Sequence, residues 1–267
     1  MKKTILPALA MLIVAAVMLS TASYAWFAMN PTVEADGMQV NVKSESEFLL
    51  IQAIGTVDGT LQPSSFDSDD TIAHGDAFVD VTALYPAAHH ATKASEFKDS
   101  TKWYTGEGKS AADGTLVAEE SLDTKVGELD NYVMRYKYGV ILSPGSAPAD
   151  GLWVTDLTIT DSNTGDTATG LTPIKVVIAC DSAETGYQEF AYSATAQKGT
   201  VDLTGTGDDN ENKITDAAVV YIYVYIYYNG NDSAVTSANY ANLAGAKVTF
   251  KLTTVQPTVT PDPVPEG

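Results

Sequence analysis

The sequence predicts an all-β protein, an antiparallel β-sandwich of jelly-roll type with loop insertions, preceded by an N-terminal hydrophobic signal helix. Apolar and polar residues alternate with a period of two along several segments of the 267-residue chain, as in half-buried strands. Clusters of Gly, Asn, Asp and Ser separate these segments. No helical periodicity persists after the leader, and no segment of about 20 to 50 residues repeats. Roughly nine or ten strands joined by such turns are typical of a jelly roll.

Residues 1–25 have the layout of a secretory signal peptide. Lys2 and Lys3 precede an uncharged apolar run, and the run ends in small residues. Ser23 and Ala25 suit the signal peptidase, whose pockets three positions and one position before the cut admit only small side chains. We therefore expect cleavage after Ala25 and a secreted protein that meets the membrane only through its leader. The apolar run is also just long enough to span a bilayer, so an uncleaved anchor is the alternative.

Charge and cysteine content narrow the choice of partners. The formal net charge is −19, from 15 basic and 34 acidic residues, so nucleic acid and anionic membrane surfaces are poor partners. The single cysteine, Cys180, lies in an apolar run and cannot form an internal disulfide. We expect it to be a small buried hydrophobe on a strand, with an intermolecular disulfide as the alternative.

Two strands are predicted soon after the leader. Met38, Val40 and Val42 alternate with polar neighbours, and residues 47–53 form a second apolar run. Residues 55–128 are rich in Asp, Ser, Gly and Thr, which predicts loop-rich surface with small insertions. Strand character then resumes over residues 130–142, 152–160, 173–180 and 187–194.

The strongest strand pattern covers residues 217–228. Both of its faces are apolar enough to be covered, which predicts a central strand with its aliphatic face in the sandwich core. The opposite face carries tyrosines, for which we expect cover by a loop or by a neighbouring subunit. These candidate interface residues are Tyr221, Tyr223, Tyr225 and Tyr227.

The C-terminal part is predicted to supply the last strand of the sandwich and then an extended tail. A short helix over residues 233–243 precedes a last strand over residues 246–255, which has one wet face. Residues 256–267 include four prolines and cannot join a sheet interior, so we expect an extended, flexible tail. The sandwich domain thus spans residues 38–255, with an extended segment, residues 26–37, ahead of it.

The sequence contains none of the common catalytic constellations. HExxH and GxSxG are absent, and nothing singles out one pair among the many carboxylates. The adjacent His89 and His90 point to opposite sides of an extended chain, so they cannot readily share a metal ion. We expect them to form a solvent-exposed loop pair, and we predict that the protein is not an enzyme and binds no organic cofactor.

Acidic loops are the one place where the sequence suggests ligand chemistry. Several loops cluster hard oxygen donors of the kind Ca²⁺ prefers, although none has the full spacing of an EF-hand. Turn residues in solvated loops are the alternative interpretation. The candidate calcium ligands are Asp161, Asn163, Asp166, Asp208 and Asn210.

The junction after the leader resembles the TasA/camelysin family of exported fibre proteins of Gram-positive bacteria. The resemblance is carried by residues 21–25, by Trp26 and Phe27, and by an Ala-Asp-Gly segment, residues 35–37, that leads into the first strand. It implies an all-β jelly-roll core and processing by a dedicated signal peptidase. It also implies donor-strand polymers, in which the freed N-terminus of one subunit completes a sheet of the next.

These observations predict a secreted structural subunit that forms head-to-tail homopolymers, as in extracellular or biofilm-matrix filaments. Cleavage would free an extended segment that can add to an exposed sheet edge, and such contacts propagate because they do not close. The predicted assembly residues are Trp26, Phe27, Met38, Val40 and Val42. The alternative is a monomeric cell-surface module for carbohydrate binding or adhesion, held by an uncleaved anchor, with Trp103, Tyr104 and Trp153 as candidate aromatic contacts.

Overall fold

The structure is a computed structural model of the chain. It describes residues 33–34, 39–44, 48–54, 66–72, 83–105, 109–110, 116–117, 120–121, 132–161, 170–180, 184–205, 213–230, 232, 235 and 245–258.

Strands dominate the described residues, which confirms the all-β prediction. In chain order the strands are β1 (Val33–Glu34), β2 (Gln39–Ser44), β3 (Leu49–Ala53), β4 (Asp69–Ile72), β5 (Ala83–Leu84), β6 (Ala88–His89), β7 (Trp103–Thr105), β8 (Lys109–Ser110), β9 (Leu116–Val117), β10 (Glu120–Ser121), β11 (Met134–Leu142), β12 (Trp153–Asp161), β13 (Ile174–Cys180), β14 (Tyr187–Ala191), β15 (Val220–Tyr228) and β16 (Ala246–Thr253). Two short 3₁₀ helices, Ala94–Lys98 and Ser100–Lys102, lie between β6 and β7.

Two main sheets form the body of the protein. One has five strands in the order β14-β13-β15-β11-β3, and the other has four in the order β12-β16-β2-β4. All neighbours are antiparallel except β16 and β2, which run parallel, so the expectation of a purely antiparallel sandwich is wrong for this pair. No hairpin joins these two strands, which lie near opposite ends of the chain, so nothing forces them to run in opposite directions.

A single apolar core lies between the two sheets. Val40 and Val42 of β2 and Phe250 of β16 pack in one cluster with Tyr136 of β11 and Ile222 of β15, and all five side chains are fully buried. Burial of each such side chain stabilises the fold by about 1.5–3 kcal/mol. The alternation read from the sequence therefore identified the inward face of β15 correctly.

The strand predicted to be central is central. β15 pairs with β13 on one side and with β11 on the other, each along seven residue pairs. Its aliphatic residues Ile222, Val224 and Ile226 are fully buried in the core. Cys180, at the end of β13, forms no disulfide and is fully buried as well, which confirms its interpretation as a small core hydrophobe.

Several predicted features lie outside the described residues. These are the signal peptide with Ser23 and Ala25, all but one residue of the predicted helix over residues 233–243, and the tail beyond residue 258. Among the residues that are described, no helix is long and apolar enough to cross a membrane.

Candidate functional site

The outer face of the five-stranded sheet, which points away from the core, divides into a covered half and an open half. Tyr225 and Tyr227 are 2% and 3% exposed, whereas Tyr221 is 37% exposed and Tyr223 is half-buried. The cover is the chain's own residues 87–105, termed here the covering segment. Of the two expectations for this face, cover by a loop therefore holds for Tyr225 and Tyr227.

The covering segment forms a second apolar core on the sheet. Phe97 and Trp103 are fully buried, and their rings lie 5.7 Å from Tyr225 and 5.0 Å from Tyr227 respectively, between ring centroids. The indole Nε1–H of Trp103 donates a 2.9 Å hydrogen bond to the main-chain oxygen of Phe97. The two 3₁₀ turns bring Phe97 and Trp103 onto the same side of the segment, although nothing in their sequence spacing suggests a strand or an α-helix.

Main-chain hydrogen bonds tie the start and the middle of this cover to the rest of the chain. The amide of Ala87 donates to the oxygen of Tyr228 at 2.9 Å, and the amide of Gly230 donates back to the oxygen of Ala87 at 2.9 Å. Further along, the amide of Ala94 donates to the oxygen of Glu184 at 2.9 Å. The cover is thus part of the fold rather than a loose loop above it.

A polar network lies at the border of this second core. Glu189 of β14 receives a hydrogen bond from the hydroxyl of Tyr227 at 2.9 Å and contacts His89 Nε2 at 2.8 Å, both through Oε2. Lys175 Nζ lies 3.6 Å from the other carboxylate oxygen. Because a carboxylate can only accept a hydrogen bond, Nε2 of His89 carries the proton in this contact. The other ring nitrogen, Nδ1, is buried and has no hydrogen-bond partner in the described part of the chain.

This network shifts the pKa values of its members. Burial alone would raise the pKa of Glu189, but the hydrogen bonds from His89 and Tyr227 and the charges of His89 and Lys175 together outweigh it, so the pKa lies below its usual value. Burial, followed by the negative charge of Glu189, raises the pKa of Tyr227 well above its usual range. The carboxylate is therefore charged and the phenol neutral at physiological pH.

Two sequence-based expectations about the covering segment are wrong. His89 is not in a solvent-exposed loop: it lies in β6, its side chain is 13% exposed, and its ring is 4.7 Å from Phe97 and 5.2 Å from Trp103. His90, on the opposite side, is exposed as expected and packs edge-on against Tyr104. The burial of Trp103 removes it from the candidate carbohydrate contacts.

In the open half of the face, one lysine side chain lies over the rings of both tyrosines. Lys137 of β11 places its Nζ 4.3 Å from the ring centroid of Tyr221 and 5.6 Å from that of Tyr223. A lysine over two aromatic rings stabilises such a surface by about 0.5–1 kcal/mol when the site is exposed. Tyr221 is exposed to solvent, whereas Tyr223 is half-buried and packs against the border of the second core.

Two of the four edges of the main sheets are covered by the chain's own backbone. Along β3, Ile51 and Asp67 exchange main-chain hydrogen bonds of 2.7 and 3.0 Å. Along β12, Leu157 and Gln197 exchange bonds of 2.9 and 2.8 Å, and the amide of Gly199 donates a further one. An incoming strand would have to displace these segments.

The other two edges, β14 and β4, have a main-chain ladder on one side only, as far as the described residues extend. Outside β14 the contacts involve side chains: Gln188 Oε1 accepts from the amides of Thr200 and Val201, at 2.8 and 3.1 Å. The side-chain amide of Gln197 donates to the main-chain oxygen of Ala191 at 2.8 Å. Within β4 itself, the main-chain amide of Thr71 donates to Oδ1 of its neighbour Asp70 at 2.8 Å.

The predicted assembly segment is partly used within the chain itself. Val33 and Glu34 form β1, which pairs with β5. Val40 and Val42 are fully buried in β2, which is hydrogen-bonded to β16 on one side and to β4 on the other. Within a single chain they are therefore core residues, and β2 could not leave without unpairing two neighbours. Trp26, Phe27 and Met38 lie outside the described residues.

The calcium ligands proposed from the sequence can be assessed only at one position. Asp161 is the last residue of β12, is 8% exposed, and lies close enough to Tyr228 for its charge to help burial raise the pKa of that phenol. Asn163, Asp166, Asp208 and Asn210 lie outside the described residues. Within those residues no three His, Cys, Asp or Glu side chains are grouped as metal ligands.

Comparison with known proteins leaves these observations as the basis for any functional assignment. No family model, no curated protein and no solved structure matches the chain.

Proposed function

We propose that this chain is a secreted structural subunit that polymerises head-to-tail into extracellular filaments of the biofilm-matrix type. A signal peptidase removes the leader after Ala25, and the freed segment adds as a strand to the sheet of the next subunit. The partner is a second copy of the same chain. The jelly-roll arrangement is part of this proposal, and it is supported by two packed sheets whose ladders are antiparallel in all pairs but one.

The observation that carries the proposal is the outer edge of β14. The amide of Cys180 donates to the oxygen of Gly186 at 2.8 Å, which continues the ladder between β13 and β14. Since bonded and non-bonded pairs alternate along an antiparallel ladder, Glu189 and Ala191 direct their main-chain groups away from β13. The oxygen of Ala191 already accepts from the side chain of Gln197, which an added strand would displace. These outward groups are of the kind that an added strand recognises.

The donor is the part of the chain ahead of β1. Because Val33 and Glu34 pair with β5, the free donor is limited to residues 26–32, which span about 23 Å when extended. The five residues of β14 need about 17 Å. Pro31 cannot donate to a ladder, but it lies at the end nearest β1, so residues 26–30 remain free to pair along the whole of β14.

The residues along β14 and β4 favour β14 as the edge that accepts the donor strand. The donor residues 26–30 are uncharged and include Trp26 and Phe27. β4 presents Asp69 and Asp70 beside its edge, and acidic side chains of this kind protect an edge against pairing. β14 is longer, and Tyr187 at its start borders the second apolar core. An aromatic donor therefore gains more contact area along β14.

Negative-stain microscopy of the purified chain starting at Trp26 tests this function. We expect regular filaments, and we expect deletion of residues 26–31 to give a folded monomer with unchanged circular dichroism. Filaments of unchanged morphology from the deletion variant would overturn the donor role of this segment. Monodisperse particles from the undeleted chain, together with Met1 as the N-terminus of the protein isolated from its own cells, as read by mass spectrometry, would support the anchored binding module instead.

A further inference from the structure

An apolar groove lies at one end of the sandwich, away from β14 and from the covering segment. Its volume is about 350 Å³, within the range of about 300–1,000 Å³ that is common for ligand sites. Phe48, which precedes β3, forms one wall and is 57% exposed. The rest of the lining includes Leu142, Gly145, Ala147, Ala149 and Thr254.

Hydrogen bonds between neighbouring segments fix the shape of this groove. The amide of Ser143 donates to the oxygen of Phe48 at 2.7 Å, which joins the two walls. The turn at Pro144 and Gly145 closes the floor, where Gly145 has a φ of 83° and therefore suits a residue without a side chain. Its amide donates to Asp216 Oδ2 at 2.7 Å. These bonds link the segments that line the groove to one another.

The C-terminal residues start at the rim of the same groove. Thr254 lines it, and the next residue, Val255, is 72% exposed. Among the described residues, Phe48 and Val255 are the two most exposed large hydrophobic side chains. Residues 259–267 follow, with prolines at positions 261, 263 and 265. Proline-rich segments favour the polyproline II conformation and bind to apolar grooves with aromatic walls.

We infer that the groove binds the proline-rich residues 259–267 of a second copy of this chain. Prolines fix φ near −65°, so the segment resists the sharp reversal that would return it to the groove beside which it begins. At about 3.1 Å per residue, a polyproline II segment of nine residues would reach about 28 Å. The contact joins the tail of one subunit to the groove of another, so it can propagate from subunit to subunit along a filament.

This contact is separate from the strand addition proposed above, since it involves neither residues 26–32 nor β14. Loss of one contact leaves the other testable. A subunit with both contacts would be held to its neighbours at two places, and its filaments would dissociate more slowly than those with either contact alone.

Peptide binding tests the inference directly. A fluorescein-labelled peptide with the sequence of residues 256–267 is titrated with the mature chain lacking residues 259–267, and anisotropy is recorded. We expect saturable binding with a Kd below about 1 mM. Phe48→Ser should weaken binding at least tenfold, whereas the control Tyr221→Ser, which changes an exposed aromatic residue elsewhere, should leave it unchanged. No saturation, or equal effects of the two substitutions, would overturn the inference.

Isotope mixing identifies which copy supplies the tail. A photoreactive amino acid is placed at Val264 of the full mature chain, light and heavy protein are mixed in equal amounts and irradiated, and the cross-linked peptides are identified by mass spectrometry. We expect cross-links to residues 142–149 that join light to heavy chains. Cross-links that join only chains of the same isotope would show that the tail binds its own groove, and cross-links elsewhere would show that the groove is not its site.

Discussion

One strand, β15, presents four tyrosines in regular alternation, yet the two halves of this face have different environments. Tyr225 and Tyr227 are buried beneath Phe97 and Trp103, whereas Tyr221 lies in the open under a single lysine. The difference has no local cause, because the residue type and the pattern are the same. It is produced by a covering segment more than a hundred residues earlier in the chain. Alternation determines which face a residue is on, but not what covers that face.

The largest expected difference between the two halves is in packing. Phe97→Ala leaves a cavity in the second core and should lower the free energy of unfolding by about 3–5 kcal/mol. Tyr221→Ala removes exposed surface and one contact with Lys137, so it should cost at most about 1 kcal/mol. Urea unfolding followed by circular dichroism measures both. If Phe97→Ala does not fold, Phe97→Leu should still fold with a loss of under about 1.5 kcal/mol. Equal losses in the free energy of unfolding for Phe97→Ala and Tyr221→Ala would contradict the division of this face into a covered half and an open half.

The covered half should also be the acid-sensitive half. The amide of Thr92 and then Lys102 lower the pKa of Glu96 from 4.5 to about 2, and the pKa of Glu189 is lowered as well. A carboxyl whose pKa is lower in the folded state stabilises the fold fully above its unfolded pKa, and this stabilisation is lost as the pH falls through the folded pKa. The covering segment should therefore loosen between about pH 4.5 and pH 2.

Hydrogen exchange at residues 87–105, corrected for intrinsic rates, measures this loosening. Protection there should fall over that pH range more than it does in β11, and the double variant Glu96→Gln, Glu189→Gln should flatten the dependence. Protection that stays constant relative to β11 across the range would mean that the two carboxylates do not hold the cover in place.

A smaller effect is expected from one hydroxyl. Tyr227→Phe keeps the buried ring but removes the hydrogen bond to Glu189, so it should lower the free energy of unfolding by about 1 kcal/mol. Tyr221→Phe makes the same chemical change in the open half and should alter stability by less than about 0.5 kcal/mol. Thermal unfolding of the pair at neutral pH compares them, and indistinguishable transitions would argue against a stabilising role for the polar network.

The sequence predicted the strands and their inward faces because both depend on local alternation. β15 was correctly placed at the centre of a sheet, and β16, predicted to have one wet face, buries Val248, Phe250 and Leu252 on the other. The covering segment was missed because its residues have no strand or helix period. Its one local signal was the presence of Phe97 and Trp103 in an otherwise polar region, and large aromatic residues there indicate packing rather than loop.

The pairing of strands that are distant in the chain was the other feature that the sequence could not predict. The period of two shows that Val40 and Val42 are buried, but it does not show which strands lie beside them. The sequence therefore allowed them to serve as a donor for another subunit, whereas the structure pairs β2 with β16 and β4 of its own chain. The same limit applies to the sheet edges, because the cover of β3 and β12 comes from residues distant in sequence, such as Asp67 and Gln197.

The most direct test of strand addition at β14 compares two edge substitutions by negative-stain microscopy. Ala191→Pro removes an outward N–H from β14, and Thr71→Pro removes one from β4, so neither should break a ladder bond within its own sheet. Both variants should remain folded by circular dichroism. We predict that Ala191→Pro abolishes filaments while Thr71→Pro leaves them intact. Filaments from Ala191→Pro that match those of the unsubstituted chain would contradict the assignment of β14 as the acceptor edge.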